Sequence, residues 1–393
     1  MKLLIASGIF HPEPGGPATY LREALPEFAA RGWAIRVLTF SDPAHMAAEA
    51  PVGYAVTRIA RTGLAARYLR YAAASLPLTR WAEAIYLHSL GLPLLSGGRA
   101  PRIVKIVGDA AWERAIRRGW IAPTTDIDAF QTMRSGSLAA EASKAWRALE
   151  ARRMDGVIVP SEYLKRMVIG WGVPPERVRV IYNALPPHHD ELGLSQAEAR
   201  AALGLDDRPT VLTIGRMLPW KGVDALIAAL RRVPDVRLIA AGDGDALPAL
   251  KASAADLGER VIFLGRVPNA RAQLYMRAAD YVALYSGYEG LSHTLLESLR
   301  AGTPCIASDK GGNPEVVQHG VNGLLAPYTQ NLDAAAEHLA AALNQAFAPG
   351  VRARLAANSG VGMERFAFSR MIEETMRALA EQTQHHRAVS IPR

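Results

Sequence analysis

The segment Tyr281-Val-Ala-Leu-Tyr-Ser-Gly-Tyr-Glu-Gly-Leu-Ser-His-Thr-Leu-Leu-Glu297 combines a short apolar run, a glycine-containing loop and the start of an amphipathic stretch. A short apolar run that is followed by turn residues is typical of a buried strand in a parallel sheet. The loop leads into a predicted helix over 292–301. A strand, a loop and a helix in this order form the repeating unit of an α/β fold.

The same alternation recurs along the chain, as expected for helices that cover both faces of a parallel sheet. The predicted strands of the first half are Leu3–Ser7, Ile35–Phe40, Tyr54–Ile59, Ala84–His88, Ile103–Val107, Val157–Val159 and Val178–Ile181. Those of the second half are Thr210–Ile214, Val236–Ala241, Val261–Leu264, Tyr281–Leu284, Pro304–Ala307 and Gly323–Leu325. The predicted helices include Ala18–Arg31, Ser137–Arg153, 221–231, 246–257, 269–278, 331–346 and Glu364–Glu381. This pattern predicts two Rossmann-like, doubly wound domains.

A turn-rich segment at Asn183–Ser195 breaks both periodicities and predicts the boundary between the domains. The predicted domains are therefore 1–183 and 184–363. The last helix follows no strand, and the tail from Gln382 is expected to fray. Ligands of such sheets bind at the carboxyl ends of the strands, so functional residues are expected in the loops that follow strands.

The composition is that of a globular protein, since half of the 393 residues are hydrophobic and 21% are charged. The single cysteine, Cys305, excludes a disulfide framework and a CxxC metal site. The sequence lacks the run of about 20 apolar residues that a membrane-spanning helix needs. The apolar N-terminus is more typical of a buried strand than of a signal peptide. We therefore expect a cytoplasmic protein.

The net charge of +8 is unevenly distributed. Residues 1–183 contain 24 Lys and Arg against 15 Asp and Glu, whereas the remaining residues contain 21 against 22. The charge alone is compatible with nucleic acid, an anionic ligand or a membrane surface, but the sequence contains no recognisable nucleic-acid-binding module. In the first half Arg58, Arg61, Arg67, Arg70 and Arg80 alternate with aromatic and aliphatic residues. This pattern favours an anionic membrane surface, and a solvated helix face over a core is the alternative.

Two loops offer binding groups for an anion. Gly15 and Gly16 precede a predicted helix, so that a ligand can approach the backbone and the helix N-terminus. A plain tight turn is the alternative for this loop. After the strand Thr210–Ile214 come Arg216 and Lys221, two cations beside a helix start that suit a diphosphate. Solvated surface cations are the alternative for that pair.

The segment quoted first supplies two carboxylates, Glu289 in the loop and Glu297 in the helix. Carboxylates accept hydrogen bonds from vicinal hydroxyls, so two glutamates eight residues apart are suited to two sugar rings of one ligand. The stretch Gly290–His293 presents free backbone N–H groups at the helix start. A further loop, Ser308–Glu315, has a glycine pair at 311–312, and structural and functional interpretations of it remain open.

In the first half Asp109 follows the predicted strand Ile103–Val107, and His88 ends the strand Ala84–His88. Asp109 is placed to orient or deprotonate a hydroxyl, with a helix cap as the alternative. His88 is a comparable candidate, with a hydrogen-bonded structural histidine as the alternative.

Taken together, these motifs resemble those of family 4 glycosyltransferases of the GT-B fold. The residues that carry the resemblance are Gly15-Gly16, Gly215-Arg216, Lys221-Gly222, Gly242-Asp-Gly244, Gly265-Arg-Val267, the pair Glu289 and Glu297, Ala301-Gly-Thr-Pro304 and Gly311-Gly-Asn-Pro-Glu315. The resemblance implies two domains that face each other across a cleft, with the C-terminal helix, about 364–385, crossing back to the first. Many relatives carry a histidine in the loop after the strand Ile103–Val107, where this chain has Gly108-Asp109.

The resemblance also implies roles for individual residues of a donor site. Arg216 and Lys221 would neutralise the diphosphate, Glu297 would bind the ribose, and Glu289 would contact the donor sugar. The positions expected to act mainly through their backbone are Gly16, Gly215, Val267, Gly290, Leu291 and Ser292. Arg216, Lys221, Glu289 and Asp109 are the catalytic candidates. Neither a metal ion nor another cofactor is expected.

The resemblance therefore implies a retaining, hexosyltransferase-like enzyme that moves a sugar from a UDP-, GDP- or ADP-linked donor to a hydroxyl acceptor. The expected acceptor is lipid-linked or a polysaccharide, in the assembly of surface polysaccharide, lipopolysaccharide or glycolipid. The chain would then act at the inner face of the cytoplasmic membrane. The alternatives are a sugar-nucleotide epimerase of the same fold and a non-catalytic scaffold that binds a nucleotide sugar.

Overall fold

The computed structural model describes residues 1–48, 53–186 and 193–390, which fall into two compact units. The first unit contains Met1–Ala115, Gly136–Tyr182 and the chain from Ser369. The second contains Ile116–Ser135 and Asn183–Phe368. Residues 187–192 of the predicted boundary segment lie outside the described residues. The domain limits inferred from the sequence therefore stay a prediction.

The described residues of the first unit form one parallel sheet of seven strands in the order β3-β2-β1-β4-β5-β6-β7. The strands are β1 Lys2–Ser7, β2 Ala34–Ser41, β3 Ala55–Ala60, β4 Ala84–Leu87, β5 Arg102–Lys105, β6 Gly156–Val159 and β7 Val178–Val180. The order reverses between β1 and β4, where the register pairs Leu3 with Ala84. Loops at the carboxyl ends of these strands therefore flank a topological switch point.

In the second unit the described residues form a parallel sheet of six strands in the order β10-β9-β8-β11-β12-β13. The strands are β8 Thr210–Ile214, β9 Arg237–Ala241, β10 Val261–Gly265, β11 Tyr281–Leu284, β12 Cys305–Ser308 and β13 Gly323–Ala326. The reversal here lies between β8 and β11, which pair through Tyr281 and Val211. The segment quoted at the outset thus begins on one of the two strands at the switch point.

Helices connect these strands and lie against the sheets. In chain order they are α1 Gly16–Ala30, α2 Leu64–Trp81, α3 Ala110–Arg117, α4 Ile127–Thr132, α5 Leu138–Arg152, α6 Glu162–Gly170, α7 Gln196–Leu203, α8 Val223–Leu230, α9 Leu247–Ser253, α10 Asn269–Ala278, α11 His293–Arg300, α12 Leu332–Ala346, α13 Val351–Ala357 and α14 Phe368–Ser390. Side chains cap several helix starts, and the Ser161 and Ser292 hydroxyls each accept a backbone N–H of the following turn. Within the described ranges, no helix has the length and the apolar run that a bilayer crossing requires.

The prediction of two doubly wound α/β sheets is confirmed, and each predicted strand overlaps a strand of the structure. The last helix differs from its prediction. It begins at Phe368 and continues to Ser390, so that the predicted frayed tail is helical from Gln382 to Ser390.

Tertiary contacts explain why the last helix extends so far. α14 belongs to the first unit, where Ile372 and Leu379 are buried. The Gln382 side chain donates a hydrogen bond of 2.9 Å to the carbonyl of Asp155, and Arg387 pairs with Glu83. These contacts hold turns of the helix that local sequence alone would leave frayed.

We expect the substitution Gly222→Ala to destabilise the second unit more than Gly204→Ala does. Both glycines adopt the left-handed conformation, with φ of 66° and 64°. A Cβ on Gly222 would lie 2.1 Å from the carbonyl oxygen of Tyr285, whereas nothing lies within 4 Å of a Cβ on Gly204. Gly204→Ala should cost about 1 kcal/mol of unfolding free energy, and Gly222→Ala on the order of 3 kcal/mol. Urea unfolding checks this, and equal midpoints for the two variants would contradict it.

Candidate functional site

The candidate site of the second unit lies where the order of strands reverses between β8 and β11. The loop after β8 contains Gly215, Arg216 and a short 3₁₀ turn, Pro219–Lys221, before α8 begins. The loop after β11 runs from Tyr285 to Ser292, which caps α11. Because both strands end at the same edge of the sheet, the two loops meet.

The two loops are joined by an ion pair between two of the predicted residues. The Nζ atom of Lys221 lies 2.5 Å from Oε1 of Glu289. The hydroxyl of Ser286 donates a hydrogen bond of 2.8 Å to the same oxygen. Both charged side chains are mostly buried, so water screens the pair less than it screens a surface pair. The pair fixes a carboxylate and an ammonium side by side at the edge of the sheet.

The loop after β12 contacts the backbone of Glu289. The N–H of Gly312, in the loop after β12, donates a hydrogen bond of 2.8 Å to the carbonyl of Glu289. A Cβ on Gly312 would lie 2.4 Å from the carbonyl oxygen of Gly290, so that a side chain at 312 would displace this loop. The glycine pair of the loop Ser308–Glu315 therefore packs directly against the loop that carries Glu289. This contact favours the structural interpretation of that loop.

Glu297 lies on the first turns of α11, after the buried residues Gly290, Leu291 and Ser292. Burial raises the pKa of Glu297 to about 7, while the nearby Arg300 lowers it. Arg300 also donates hydrogen bonds to the carbonyls of Leu185 and Pro186. Near neutral pH the buried carboxyl group therefore keeps its proton more than an exposed glutamate does. A ligand that donates hydroxyl hydrogen bonds would favour its charged form.

A cavity of about 590 Å³ lies beside the loop after β8. Three residues predicted for the donor site, Gly215, Arg216 and Val267, line it together. The loop after β9, 242–245, forms another part of its wall. The Arg216 side chain is exposed and forms no ion pair with any residue that the structure describes. The cavity therefore presents an unneutralised guanidinium at the carboxyl ends of β8, β9 and β10.

Two predicted site residues, Gly16 and Asp109, belong to the first unit. Gly16 begins α1, and nothing lies within 4 Å of a Cβ built on it. Asp109 is fully buried, and its Oδ1 accepts hydrogen bonds from the backbone N–H groups of Ala111 and Trp112. Its Oδ2 pairs with the buried Arg147. This geometry favours the helix-cap alternative, since both oxygens of the carboxylate already bind donors.

Sequence reasoning missed three residues around these sites. Ser286 precedes Glu289 by three residues, a spacing that suits a hydroxyl-to-carboxylate bond but also occurs in ordinary loops. Arg147 is 38 residues from its partner Asp109, and only the fold brings the two together. Lys105 is buried at the end of β5, and the signal that could have found it is a lysine within the apolar run Ile103–Val107. In the described ranges, no three His, Cys, Asp or Glu side chains gather as metal ligands would.

Two family models match the chain. The model for Glycosyl transferases group 1 matches residues 195–359, and the model for Glycosyltransferase Family 4 matches residues 14–189. The first match contains the Lys221–Glu289 pair, Glu297 and the cavity with Arg216. The second contains most of the sheet of the first unit.

Curated relatives align with about half of their own length or less. An uncharacterised glycosyltransferase of Methanocaldococcus jannaschii is 34% identical in an alignment 216 residues long, which covers 52% of this chain and 55% of that protein. A D-inositol 3-phosphate glycosyltransferase of Mycobacterium sp. (strain JLS) is 39% identical in an alignment 180 residues long, which covers 41% of this chain and 40% of that protein. Among solved structures, Anabaena HepE in complex with UDP-glucose shares the fold, with a TM-score of 0.74 at 22% identity over 97% of this chain and 100% of that one.

We expect the stability of the protein to fall between about pH 4.5 and pH 7 because of Glu297. Its pKa in the folded state is about 7, above its ordinary value of 4.5. Over this interval the unfolded chain loses the proton while the folded chain keeps it, so the unfolding free energy decreases by up to about 3 kcal/mol and then levels off. Glu297→Gln should remove this decrease. The measurement is the urea midpoint at several pH values, with the exposed Glu337→Gln as control. Parallel pH profiles of wild type and Glu297→Gln would contradict the assignment.

Proposed function

We propose, since the chain belongs to the family 4 and group 1 glycosyltransferases, that it transfers a sugar from a nucleotide diphosphate donor to a hydroxyl acceptor with retention of the anomeric configuration. The observation that carries this proposal is the Lys221–Glu289 pair at the switch point of the second unit, on the same β8 loop whose Arg216 lines the cavity. Cations beside the ends of parallel strands suit the diphosphate, and carboxylates suit the hydroxyls of a sugar and a ribose.

In the proposed reaction, the bond between the anomeric carbon and the diphosphate oxygen breaks, and its electron pair stays on the diphosphate. Arg216 and Lys221 stabilise the charge that develops there, so the proposal requires no metal ion. The acceptor hydroxyl attacks the anomeric carbon from the face that the diphosphate leaves. Its proton passes to an oxygen of the leaving diphosphate, and the new bond keeps the original configuration.

Each binding residue has one task in this proposal. Glu289 holds the Lys221 ammonium in place through Oε1 and offers its carboxylate to the donor sugar. Glu297 binds the ribose hydroxyls, and Val267 contacts the base from the wall of the cavity. Gly290, Leu291 and Ser292 contribute backbone groups, and a role for Gly16 stays a prediction. A role for Asp109 as proton acceptor stays a prediction, and the contacts of its carboxylate favour the leaving-group oxygen for that step.

We expect Arg216→Ala and Lys221→Ala each to lower turnover by about 10²–10³-fold, because each removes a cation that stabilises the leaving diphosphate. The measurement is release of free sugar from a panel of UDP-, GDP- and ADP-sugars, which also identifies the base. Arg208→Ala is a matched control, since Arg208 is exposed and precedes β8 at the opposite end of the same strand. Full turnover in both site variants would contradict the proposed roles. Nucleotide-sugar binding without turnover by the wild type would favour a scaffold, and exchange of one sugar nucleotide for its epimer would favour an epimerase.

We also propose that α2 attaches the chain to an anionic membrane surface, where a lipid-linked acceptor or a growing polysaccharide would be found. Leu64 and Leu69 near the start of α2 are 67% and 71% exposed, and Tyr68 lies between them. Arg67 and Arg70 flank these apolar side chains. Cations beside exposed apolar side chains suit a layer of anionic headgroups.

Some of the arginines predicted to face a membrane surface form contacts within the first unit instead. Arg61 pairs with Glu13, and Arg58 donates a hydrogen bond to the carbonyl of His11. These two arginines therefore serve contacts within the first unit. Arg67 is partly buried and its guanidinium lies over the rings of Phe40 and Tyr68. Arg70 and Arg80 are exposed and remain as candidates for contact with lipid headgroups.

We expect Leu64→Ser combined with Leu69→Ser to weaken sedimentation with phosphatidylglycerol vesicles by about tenfold, because each leucine would bury apolar area in the bilayer. The matched control is Leu138→Ser in α5, which removes a leucine that is 89% exposed on the same unit. High salt should weaken binding of the wild type. No sedimentation of the wild type at low salt would refute the membrane proposal.

A further inference from the structure

The first unit contains a second cavity, of about 440 Å³, at the carboxyl ends of β4 and β5. The side chains that matter for its chemistry are those of His88, Lys105, Arg114, Trp146, Arg147 and Trp171. β4 lies beside β1 at the reversal of the strand order, so this cavity occupies the position where ligands of such sheets bind.

Lys105 lines this cavity as a buried lysine without a hydrogen-bond acceptor among the described residues. It is the last residue of β5 and only 4% exposed. Its Nζ lies 3.9 Å from the centre of the Tyr20 ring, and no hydrogen-bond acceptor among the described residues reaches it. Burial lowers its pKa to about 7. A buried amine without a hydrogen-bond acceptor lowers the stability of the folded protein. Because this amine lies beside a cavity, a ligand in the cavity can supply the acceptor.

His88 presents a second polar atom without a partner. It follows β4 directly and is buried, with its ring packed against Tyr86 and Tyr20. Its Nε2 has no hydrogen-bond partner in the part of the chain that the structure describes. Burial and the nearby Lys105 hold the pKa of His88 well below its usual range. The imidazole is therefore neutral at pH 7, and a neutral imidazole can donate one hydrogen bond to a ligand.

The charges around the cavity are mainly positive. Arg114 and Arg147 line it with Lys105, and Glu113 is the acidic residue of the lining. Arg147 pairs with Asp109 and lies 4.1 Å from the centre of the Trp171 ring. Arg114 is exposed and donates a hydrogen bond to Ser143. An anion that entered the cavity would meet one exposed guanidinium first and the Lys105 ammonium further inside.

We infer that this cavity binds a phosphate group of the acceptor, with Lys105 as the ion-pair partner, His88 as a hydrogen-bond donor and Arg114 at the entrance. The inference rests on the proposed function only in calling the ligand an acceptor. A phosphate monoester offers several oxygens and close to two negative charges at pH 7, enough for both Lys105 and Arg114. A neutral sugar would not stabilise the charged form of Lys105, which burial disfavours.

The test measures binding of phosphate itself by titration calorimetry. Every protein in it carries Arg216→Ala and Lys221→Ala, so that the proposed diphosphate cations of the second unit do not contribute. The probes are inorganic phosphate and glucose 1-phosphate, with glucose and glucuronate as matched ligands without phosphate. We expect the two phosphates to bind and Lys105→Met to weaken their binding by tenfold or more. The matched control is Lys2→Met, which removes an exposed lysine at the amino end of β1 in the same sheet.

A footprinting measurement covers the case in which Lys105→Met does not fold. Acetylation at pH 7 followed by mass spectrometry should modify Lys105 in the free protein, and glucose 1-phosphate should protect it. A short-chain phosphatidic acid, which is a phosphate monoester like glucose 1-phosphate, distinguishes the source of the phosphate when it is used below its micelle concentration. Tenfold tighter binding than that of glucose 1-phosphate identifies a lipid headgroup, whereas equal or weaker binding identifies a soluble phosphate.

Three outcomes would overturn the inference. The first is that neither phosphate binds. The second is that phosphate binds but neither the Lys105→Met variant nor footprinting shows an effect at Lys105. The third is that glucuronate or glucose binds as tightly as glucose 1-phosphate. Failure of the wild type to release sugar from any donor would instead contradict the proposed function, and the calorimetric result would stand independently.

Discussion

The close approach of loop backbones at the edge of the second sheet is the constraint on which the candidate site depends. The turn before α8 lies against the carbonyl of Tyr285 at Gly222, and the loop after β12 lies against the carbonyl of Gly290 at Gly312. At either position a side chain would push the loops apart. With the backbones in contact, Lys221 and Glu289 can form an ion pair although they are 68 residues apart. The ion pair of the site therefore depends on the packing of the loops, and that packing depends on the glycines at positions 222 and 312.

The distribution of charge has a similar explanation. In the second unit the site uses a few cations held in fixed places, such as Lys221 beside Glu289, and needs no broad basic surface. In the first unit several arginines form contacts within the unit. Arg61 pairs with Glu13, Arg147 pairs with Asp109, and Arg36 lies 4.3 Å from the centre of the Trp81 ring. These contacts leave the net charge of the unit unchanged, but they determine which of its arginines a partner can reach.

Features that depend on local sequence patterns, such as the positions of the strands, could be predicted from the sequence. Apolar runs bounded by turn residues located the strands, because a strand buried on both faces must be apolar throughout. Lys221 and Glu289 were predicted because they follow strands whose carboxyl ends lie at one edge of a sheet, and the structure brings the two side chains together. Partners far apart in the chain were not predicted, as for Asp109, whose carboxylate is held by Arg147 in another helix. The length of α14 was underestimated for the same reason, since contacts with Asp155 and Glu83 hold its last turns.

Comparison of the two switch points gives the strongest reason to place a ligand in the first unit. In each unit a mostly buried lysine lies at the carboxyl end of the sheet, near the reversal of the strand order. In the second unit Lys221 has a carboxylate partner, Glu289, and its charge is balanced before any ligand arrives. In the first unit Lys105 is more deeply buried and faces an aromatic ring, a neutral histidine and arginines. The nearest buried carboxylate in the following loop, Asp109, is already committed to Arg147 and to the start of α3. The fold thus balances one lysine and leaves the other without a counter-charge, and an anionic ligand in the first unit would stabilise the charged form of Lys105 and raise its lowered pKa.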